Sequence, residues 1–273
     1  MGCLNEASIT RLALLGCGKI GSALLRGWLE GGMRPECVNV LEPQPSEWLQ
    51  STGVKINSEQ KICPDVVVIA VKPQLMDEAL PLIRHFGGGG TLFISVAAGT
   101  QISAFEKAFG FESPVIRAMP NTPAAVRHAI TAIIGNKVVG NSHYEMARSL
   151  LGAVGKVVRL DHEDQMDAVT GLSGSGPAYV FHMVECLAAA GVEQGLSSDL
   201  AMQLAKATVA GAGALVESSS ETPAELRSNV TSKNGTTAAG LDVLMNNNVG
   251  MRELISKTVA AASNRSKELR CGR

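Results

Sequence analysis

From Leu226 to Thr237 the chain reads Leu-Arg-Ser-Asn-Val-Thr-Ser-Lys-Asn-Gly-Thr-Thr, just ahead of the apolar run Ala238 to Leu244. This is a polar loop feeding a helix. Thr236 and Thr237 fall where the first N–H groups of that helix lack partners within it and carry the positive end of its dipole, an environment suited to a carboxylate or a phosphate. Ser232 adds a hydroxyl donor, and Gly235 lets the backbone approach a ligand closely. The same residues would equally serve as ordinary helix caps, since Ser and Thr are favoured there whether or not anything binds.

A second constellation lies near the start. Leu12 to Leu15 is a short apolar strand, followed at once by Gly16-Cys-Gly-Lys-Ile-Gly21 and by a helix in which Ile20, Leu24 and Trp28 recur every four residues. Strand, glycine turn and helix in that order form a dinucleotide-binding signature. Gly16 permits the tight turn, Gly18 lets a pyrophosphate reach the backbone, and Gly21 allows the helix to pack closely on the strand. Val38 to Leu41 makes the next strand, and Glu42 stands at its end. A carboxylate there accepts the ribose hydroxyls of NAD and repels the 2′-phosphate of NADP; the plainer alternative is a solvated charge beside Pro43.

Further apolar runs at Val66 to Val71, Leu92 to Val96, Val115 to Met119, Ile130 to Ile134 and Val157 to Leu160 are separated by helical stretches at Met76 to His85, Ile102 to Phe109 and Tyr144 to Leu151. Near-continuous apolar strands are buried on both faces, which predicts a mostly parallel sheet between helix layers, with ligands beyond the carboxyl ends of the strands. The segments following those ends are Lys72-Pro73, Ala97-Ala98-Gly99 and Pro120-Asn-Thr-Pro123; the last is a stiff loop expected either to face a cofactor or to be a plain turn. After Asp161 strand patterns stop. Helix starts are expected at Asp161 with Asp164, at Ser198, and at the capping pattern Thr222-Pro-Ala-Glu225, and Leu172-Ser-Gly-Ser-Gly-Pro177 is read as a break between two helices. The predicted division is an α/β Rossmann-like domain over 1–161 and an all-α domain over 162–273, whose small-residue helices have apolar faces in want of a partner, so dimerisation is expected through it.

The 273 residues carry a net charge of -1 and only 4% aromatics, which disfavours nucleic acid and anionic membranes as partners. Cys3, Cys17, Cys37, Cys63, Cys186 and Cys271 form no Cys-x-x-Cys pair and read as reduced thiols of a cytoplasmic protein. Met1 to Ser8 lacks the basic start and apolar core of a secretory signal, and no run approaches the roughly 18 apolar residues of a membrane span. Five histidines show no ligand-like spacing, His182 reads as a core or interface residue, and no Ser/His/Asp order or carboxylate cluster points to a covalent nucleophile or a metal. The chemistry is therefore left to the dinucleotide.

Five motifs in order carry a resemblance over nearly the whole length: Gly16-Cys-Gly-Lys-Ile-Gly21, Ala70-Val-Lys-Pro73, Met119-Pro-Asn-Thr-Pro123, Thr170-Gly-Leu-Ser-Gly-Ser-Gly-Pro-Ala-Tyr179 and Leu226-Arg-x-Asn-Val-Thr-Ser-x-x-Gly-Thr-Thr237. The chain resembles the pyrroline-5-carboxylate reductases. The resemblance implies reduction of a cyclic imine, 1-pyrroline-5-carboxylate, to L-proline by NADPH or NADH, in an interlocked homodimer or a ring of dimers. It implies substrate carboxylate binding by Ser232, Gly235 and Thr236, with Thr237 catalytic beside the ring nitrogen and Glu163 bordering the site. It implies cofactor contacts from Gly16, Gly18, Lys19, Ile20, Gly21, Ala70, Val71, Lys72, Pro73, Val96, Ala97, Ala98 and Asn229. NADP is the expected cofactor, with Ser46 and the region of Asn57 to Gln60 as candidates to reach its phosphate, and NAD is its competitor because of Glu42. The family loop commonly reads Ser-Pro-Gly-Gly where this chain has Ser232-Lys233-Asn234-Gly235, a change that Asn234 partly answers by tolerating left-handed angles. Two other readings stand beside this one: a different dehydrogenase of Rossmann-plus-helical build, with Lys206 or Lys233 as acid/base, and a nucleotide sensor without turnover.

Overall fold

The computed structural model describes residues 11–59 and 62–270; Cys3, Cys271, Gln60 and the Met1 to Ser8 segment discussed above lie outside them. The chain separates into two compact units, Met1–Gly174 with Ala262–Arg273, and Ser175–Ala261.

The first unit is built on β1 (Leu12–Leu15), α1 (Lys19–Glu30), β2 (Val38–Leu41), α2 (Glu47–Ser51), β3 (Lys55–Ile56), β4 (Val66–Ile69), α3 (Met76–Ile83), β5 (Leu92–Ser95), α4 (Ile102–Phe109), β6 (Val115–Met119), β7 (Ala129–Gly135), α5 (Asn141–Gly152), β8 (Gly155–Arg159) and α6 (Gln165–Val169). One eight-stranded sheet runs in the order β3-β2-β1-β4-β5-β6-β7-β8. All neighbours are parallel except the antiparallel pair β6 and β7. The strands expected from apolar runs are present, along with the two-residue β3, too short and too polar to announce itself.

Burial explains the apolar runs. Leu12, Leu14, Val38, Val40, Val66, Val68 and Ile94 project from one face into a core with α1 and α5. Ala13, Leu15, Val67, Ile69 and Phe93 project from the other into a core with α3 and α4. Each fully buried Leu, Ile or Val contributes roughly 1.5–3 kcal/mol, so neither face of these strands tolerates polar substitution. On the first face, Gly27 brings α1 against the end of α5, where a Cβ would lie 2.9 Å from the Ala153 carbonyl oxygen. At the next residue, the buried Trp28 indole donates to the Leu150 carbonyl at 2.8 Å.

Leu172 to Pro177 does separate two α-helices, with Pro177 in the first turn of the second, but its first part is not an open loop: Thr170–Gly174 forms a π-turn directly after α6. Thr170 and Ser173 hydroxyls donate to Met166 and Val169 carbonyls at 2.8 and 3.1 Å, which occupies acceptors that a regular helix would use and favours the wider turn. Asn121 holds this turn to the sheet: its amide donates to the Ser173 carbonyl at 3.1 Å and accepts from the Ile130 N–H at 3.1 Å. The proline-bracketed loop is thus a brace. Met119 fills the space beside Gly174, its Cε 2.6 Å from where a Cβ would stand.

The second unit holds α7 (Gly176–Glu193), α8 (Ser198–Ser218), α9 (Pro223–Asn229), α10 (Thr236–Leu244) and the beginning of α11 (Met251–Arg270). Thr222 and Glu225 close the expected capping box, Glu225 accepting from the Thr222 N–H at 2.7 Å and Thr222 from the Glu225 N–H at 3.3 Å; that bond holds the Glu225 carboxyl below its ordinary range. The cap of α8 is Ser197 rather than Ser198, because the Ser197 hydroxyl is the one that receives the Leu200 N–H. Ser232 to Gly235 is a tight turn closed by the Gly235 N–H on the Ser232 carbonyl at 3.0 Å, with Asn234 at φ +59°. A positive angle at the third turn position alone is the type II pattern, which favours proline second and glycine third; Lys233 and Asn234 stand there. Val180, Phe181, Leu187, Leu204, Leu215 and Leu254 are among the exposed apolar residues of this unit, and His182 is exposed with Glu185 at 2.9 Å, not buried in a core of the chain.

The distal part of α11 returns to the first unit. Asp167, 2% exposed, accepts from the Ser266 hydroxyl at 2.7 Å and pairs with Arg270 at 3.4 Å. Asp167→Ala should therefore cost about 2 kcal/mol, the value of a charge-assisted hydrogen bond and its orphaned partners, seen as a lower urea midpoint at fixed protein concentration. Lys233→Pro should act in the opposite direction, raising stability by about 0.5 kcal/mol through the unfolded chain; a lower melting temperature would refute the type II assignment.

Candidate functional site

The first unit has a cleft of about 740 Å³ at the carboxyl ends of β1, β2 and β4, lined by Leu15, Gly16, Gly18, Leu41, Glu42, Pro43, Asn57, Ala70, Val71, Lys72, Leu75 just ahead of α3, and the α3 side chains Glu78, Ala79 and Leu82. The three glycines of the turn are required for three different reasons. Gly16 has φ +88°, and a Cβ on it would meet Val71 at 2.8 Å. Gly21 would drive a Cβ to 2.4 Å from the Gly16 carbonyl oxygen, so only glycine lets α1 sit this close to the turn. Gly18 meets nothing within 4 Å. Packing does not demand its missing side chain; the space it leaves lies at the N-terminus of α1, where free N–H groups and the helix dipole suit a pyrophosphate. These residues fit a dinucleotide.

Glu42 sits at the rim of the same cleft. Its carboxylate accepts from the Cys17 N–H at 2.8 Å and from the Gln44 N–H at 3.1 Å. Burial, and then the charge of Glu42, push the Cys17 thiol up to about 11, so this cysteine stays protonated and inert at neutral pH. Ser46, considered above for the cofactor choice, caps α2 by accepting from the Leu49 N–H.

The remaining expected residues are distributed as follows. Lys19 lines a separate pocket with Ser22, Arg26 and Arg127, and Ile20 packs on the core beneath α1. Pro73 opens the 3₁₀ turn that leads from Lys72 to Leu75. Val96 and Ala97 are buried just beyond β5, and Ala98 is exposed. Glu163 binds the Ile102 N–H at 3.0 Å and the buried Arg117 guanidinium at 2.8 Å, and it lines a pocket of about 590 Å³ with Asp161, His162 and Asp164. Such a buried pair is costly to break, which gives Glu163 a structural duty of its own.

In the second unit, Asn229 donates to Glu221 at 2.7 Å. Gly235 caps α10 without a side chain, and a Cβ there would fall 2.3 Å from the Ser232 hydroxyl oxygen. Ser232 is thus folded back over its own turn, next to the exposed Thr236 and Thr237 of the first helical turn. The first N–H groups of α10 lack partners within the helix, an environment suited to an anion the size of a carboxylate.

Sequence reasoning placed Asn57 near the cofactor but did not anticipate the lining by Leu75, Glu78, Ala79 and Leu82. These four had a signal, recurrence at helical spacing beyond a strand end; what was not legible for Asn57 was its left-handed backbone at φ +50°.

Residues 163–269 match the family model described as pyrroline-5-carboxylate reductase dimerisation, and residues 11–99 match NADP oxidoreductase, coenzyme F420-dependent. The pyrroline-5-carboxylate reductase of Synechocystis sp. is 41% identical over 95% of this chain and 98% of its own, and that of Pseudomonas aeruginosa 37% identical over 96% and 97%. A Coxiella burnetii pyrroline-5-carboxylate reductase structure superimposes with a TM-score of 0.90 at 33% identity, covering 96% of this chain and 98% of that one. The Plasmodium falciparum pyrroline carboxylate reductase with NADP bound gives 0.81 at 30% identity, over 98% and 100%. With identity at this level along nearly its entire length, the chain belongs to the pyrroline-5-carboxylate reductase family.

Proposed function

We propose that the chain reduces 1-pyrroline-5-carboxylate to L-proline by hydride transfer from NAD(P)H, the last step of proline biosynthesis, in the cytoplasm and as a homodimer or ring of dimers. What supports this most is that the family matches run through both ligand-binding regions, 11–99 with the glycine turn and 163–269 with the hydroxyl turn. The division of labour is a dinucleotide domain over 1–161 and a helical substrate and dimerisation domain over 162–273, with the exposed apolar helices supplying the contact between subunits. No described helix is long and apolar enough to cross a membrane, and a net charge of -1 provides no general field for nucleic acid.

The dinucleotide supplies the hydride, and the residues of this chain position what receives it. Gly16, Gly18, Lys19, Ile20 and Gly21 present the backbone of the turn and the N-terminus of α1 to the pyrophosphate. Ala70, Val71, Lys72, Pro73, Val96, Ala97 and Ala98 supply the strand-end backbone along the cofactor, with Asn229 as a further contact, and Glu42 faces the adenosine ribose. NADP is the family's cofactor; Glu42 makes NAD its competitor. Ser232, Gly235 and Thr236 hold the substrate carboxylate through hydroxyls and free N–H groups, and Glu163 borders the site. An imine carbon accepts hydride once its nitrogen is protonated; the Thr237 hydroxyl would donate a hydrogen bond to the neutral imine nitrogen and accept one from the iminium N–H, and alignment does most of the remaining work.

Oxidation of NAD(P)H at 340 nm, with the cyclic imine tested beside small keto acids, checks the reaction; turnover of keto acids in preference to the imine would overturn it. Thr237→Ala should lower kcat/KM about 100-fold, as loss of one preorganised donor does, with dinucleotide affinity little changed. The glycine turn gives a paired test. Gly18→Ala should keep the melting temperature and lose dinucleotide affinity about tenfold or more, whereas Gly21→Ala should unfold earlier, by about 1–3 kcal/mol, because its Cβ meets backbone.

A further inference from the structure

Around Glu42 the main chain is held in an unusual way. β3 is only two residues long, and its pairing with β2 stops at Val40 opposite Ile56. The Asn57 N–H adds one more bond of that ladder, to the Val40 carbonyl at 2.9 Å. The backbone then turns left-handed, φ +50°. This folds the Asn57 side chain back over β2, where its carbonyl oxygen accepts from the Glu42 N–H at 2.9 Å and its amide donates to the Glu42 carbonyl at 2.8 Å. One side-chain amide thus stands in for the peptide group that the next residue of a longer β3 would have offered. Asn is one of the few residues that combine an amide with tolerance of these angles.

The consequence falls on the Glu42 carboxylate. With its main chain fixed on both sides, its side chain leaves β2 in one direction, and its two oxygens take the Cys17 and Gln44 N–H groups at 2.8 and 3.1 Å. A carboxylate has about four acceptor positions, so two remain for a vicinal diol. Asn57 and Glu42 both line the cleft, in which Lys72 is the only cation among the described lining residues. A phosphate placed on the diol would meet a fixed negative charge, and a carboxylate already held by two N–H groups cannot easily swing aside.

We propose that Asn57 is a positioning residue for cofactor choice: by clamping the Glu42 main chain it aims the carboxylate at the adenosine ribose, and so sets how strongly the enzyme favours NADH over NADPH. This rests on the dinucleotide reading of the cleft but not on the identity of the imine.

The test is the dissociation constants of NADH and NADPH, read from fluorescence of the bound reduced nicotinamide, for wild type, Asn57→Ala, Glu42→Ala and the double variant, with melting temperatures alongside. Glu42→Ala should shift the ratio of the two constants toward NADPH. Asn57→Ala should weaken NADH about tenfold, the value of a hydrogen bond to a charged group, while NADPH changes by less than about twofold; in the Glu42→Ala background it should move the ratio by no more than about twofold, the signature of acting through one partner. Equal weakening of both cofactors by Asn57→Ala would make it a simple brace and overturn the proposal. A ratio shift that survives in the Glu42→Ala background, or a ratio that Glu42→Ala leaves in place, would overturn it as well. Normal binding of both cofactors without imine turnover would sink the reductase reading instead and leave this one standing.

Discussion

Everything in the first unit hangs on how close α1 can come to the turn that precedes it. Gly21 lies where any side chain would strike the Gly16 carbonyl, and the same close seating recurs at Gly27 and is locked by the Trp28 indole on the Leu150 carbonyl. A helix held at that distance leaves its N-terminus over the ends of β1 and β4, with Gly18 open to a ligand. Were α1 pushed outward by one methyl group, the cleft would lose both its floor and its positive end. The missing atoms of two glycines are therefore as consequential as any side chain in the site, and because the constraint is steric, no other residue could substitute for them.

The two helix ends proposed to bind ligands use one physical device in different settings. In the glycine turn the α1 N-terminus is bare and all donors are backbone. In the second unit the α10 N-terminus has hydroxyls around it, and Ser232 is folded over Gly235. A diphosphate has many acceptor oxygens and tolerates a cradle of amides, whereas a single carboxylate benefits from directional hydroxyls that fix its orientation. The departure from Pro-Gly to Lys233-Asn234 leaves the turn type intact, because what the turn needs at its third position is a positive φ, and asparagine supplies it at +59°.

Much of this was legible in the sequence because it was local or periodic. The apolar runs became strands, buried on both faces in β1, β4 and β5 though not in β8, the Thr222 to Glu225 capping box formed as written, and Gly16 and Gly21 took the turn and packing roles while Gly18 was left open. What was not legible depended on partners distant in the chain. Asn121 has the composition of a cofactor loop, but its amide is consumed by Ser173 and Ile130. The hydroxyls of Thr170 and Ser173 give the interruption between two helices the form of a π-turn. The contact boundary between the units follows that turn at Gly174, whereas the change from strand to helix patterns drew it at Asp161. Lys19, inside the glycine signature, faces a different pocket from its neighbours, and Glu163 answers to a buried arginine that no spacing could connect to it.

The bond between Ser266 and Asp167 joins residues 99 apart in the chain, and it makes the helical unit an insertion within the nucleotide unit, not an appendage after it. During synthesis the sheet can assemble as soon as β8 has left the ribosome, yet the hydroxyl that closes over Asp167 is translated 99 residues after it. The nucleotide unit must wait, its Asp167 without that partner, while the whole of Ser175 to Ala261 is made. Both ends of the inserted unit are then anchored in the same body. A product cut short before Ser266 would lack no part of the hydroxyl turn or the glycine turn, and would still be left without the bond that closes over Asp167.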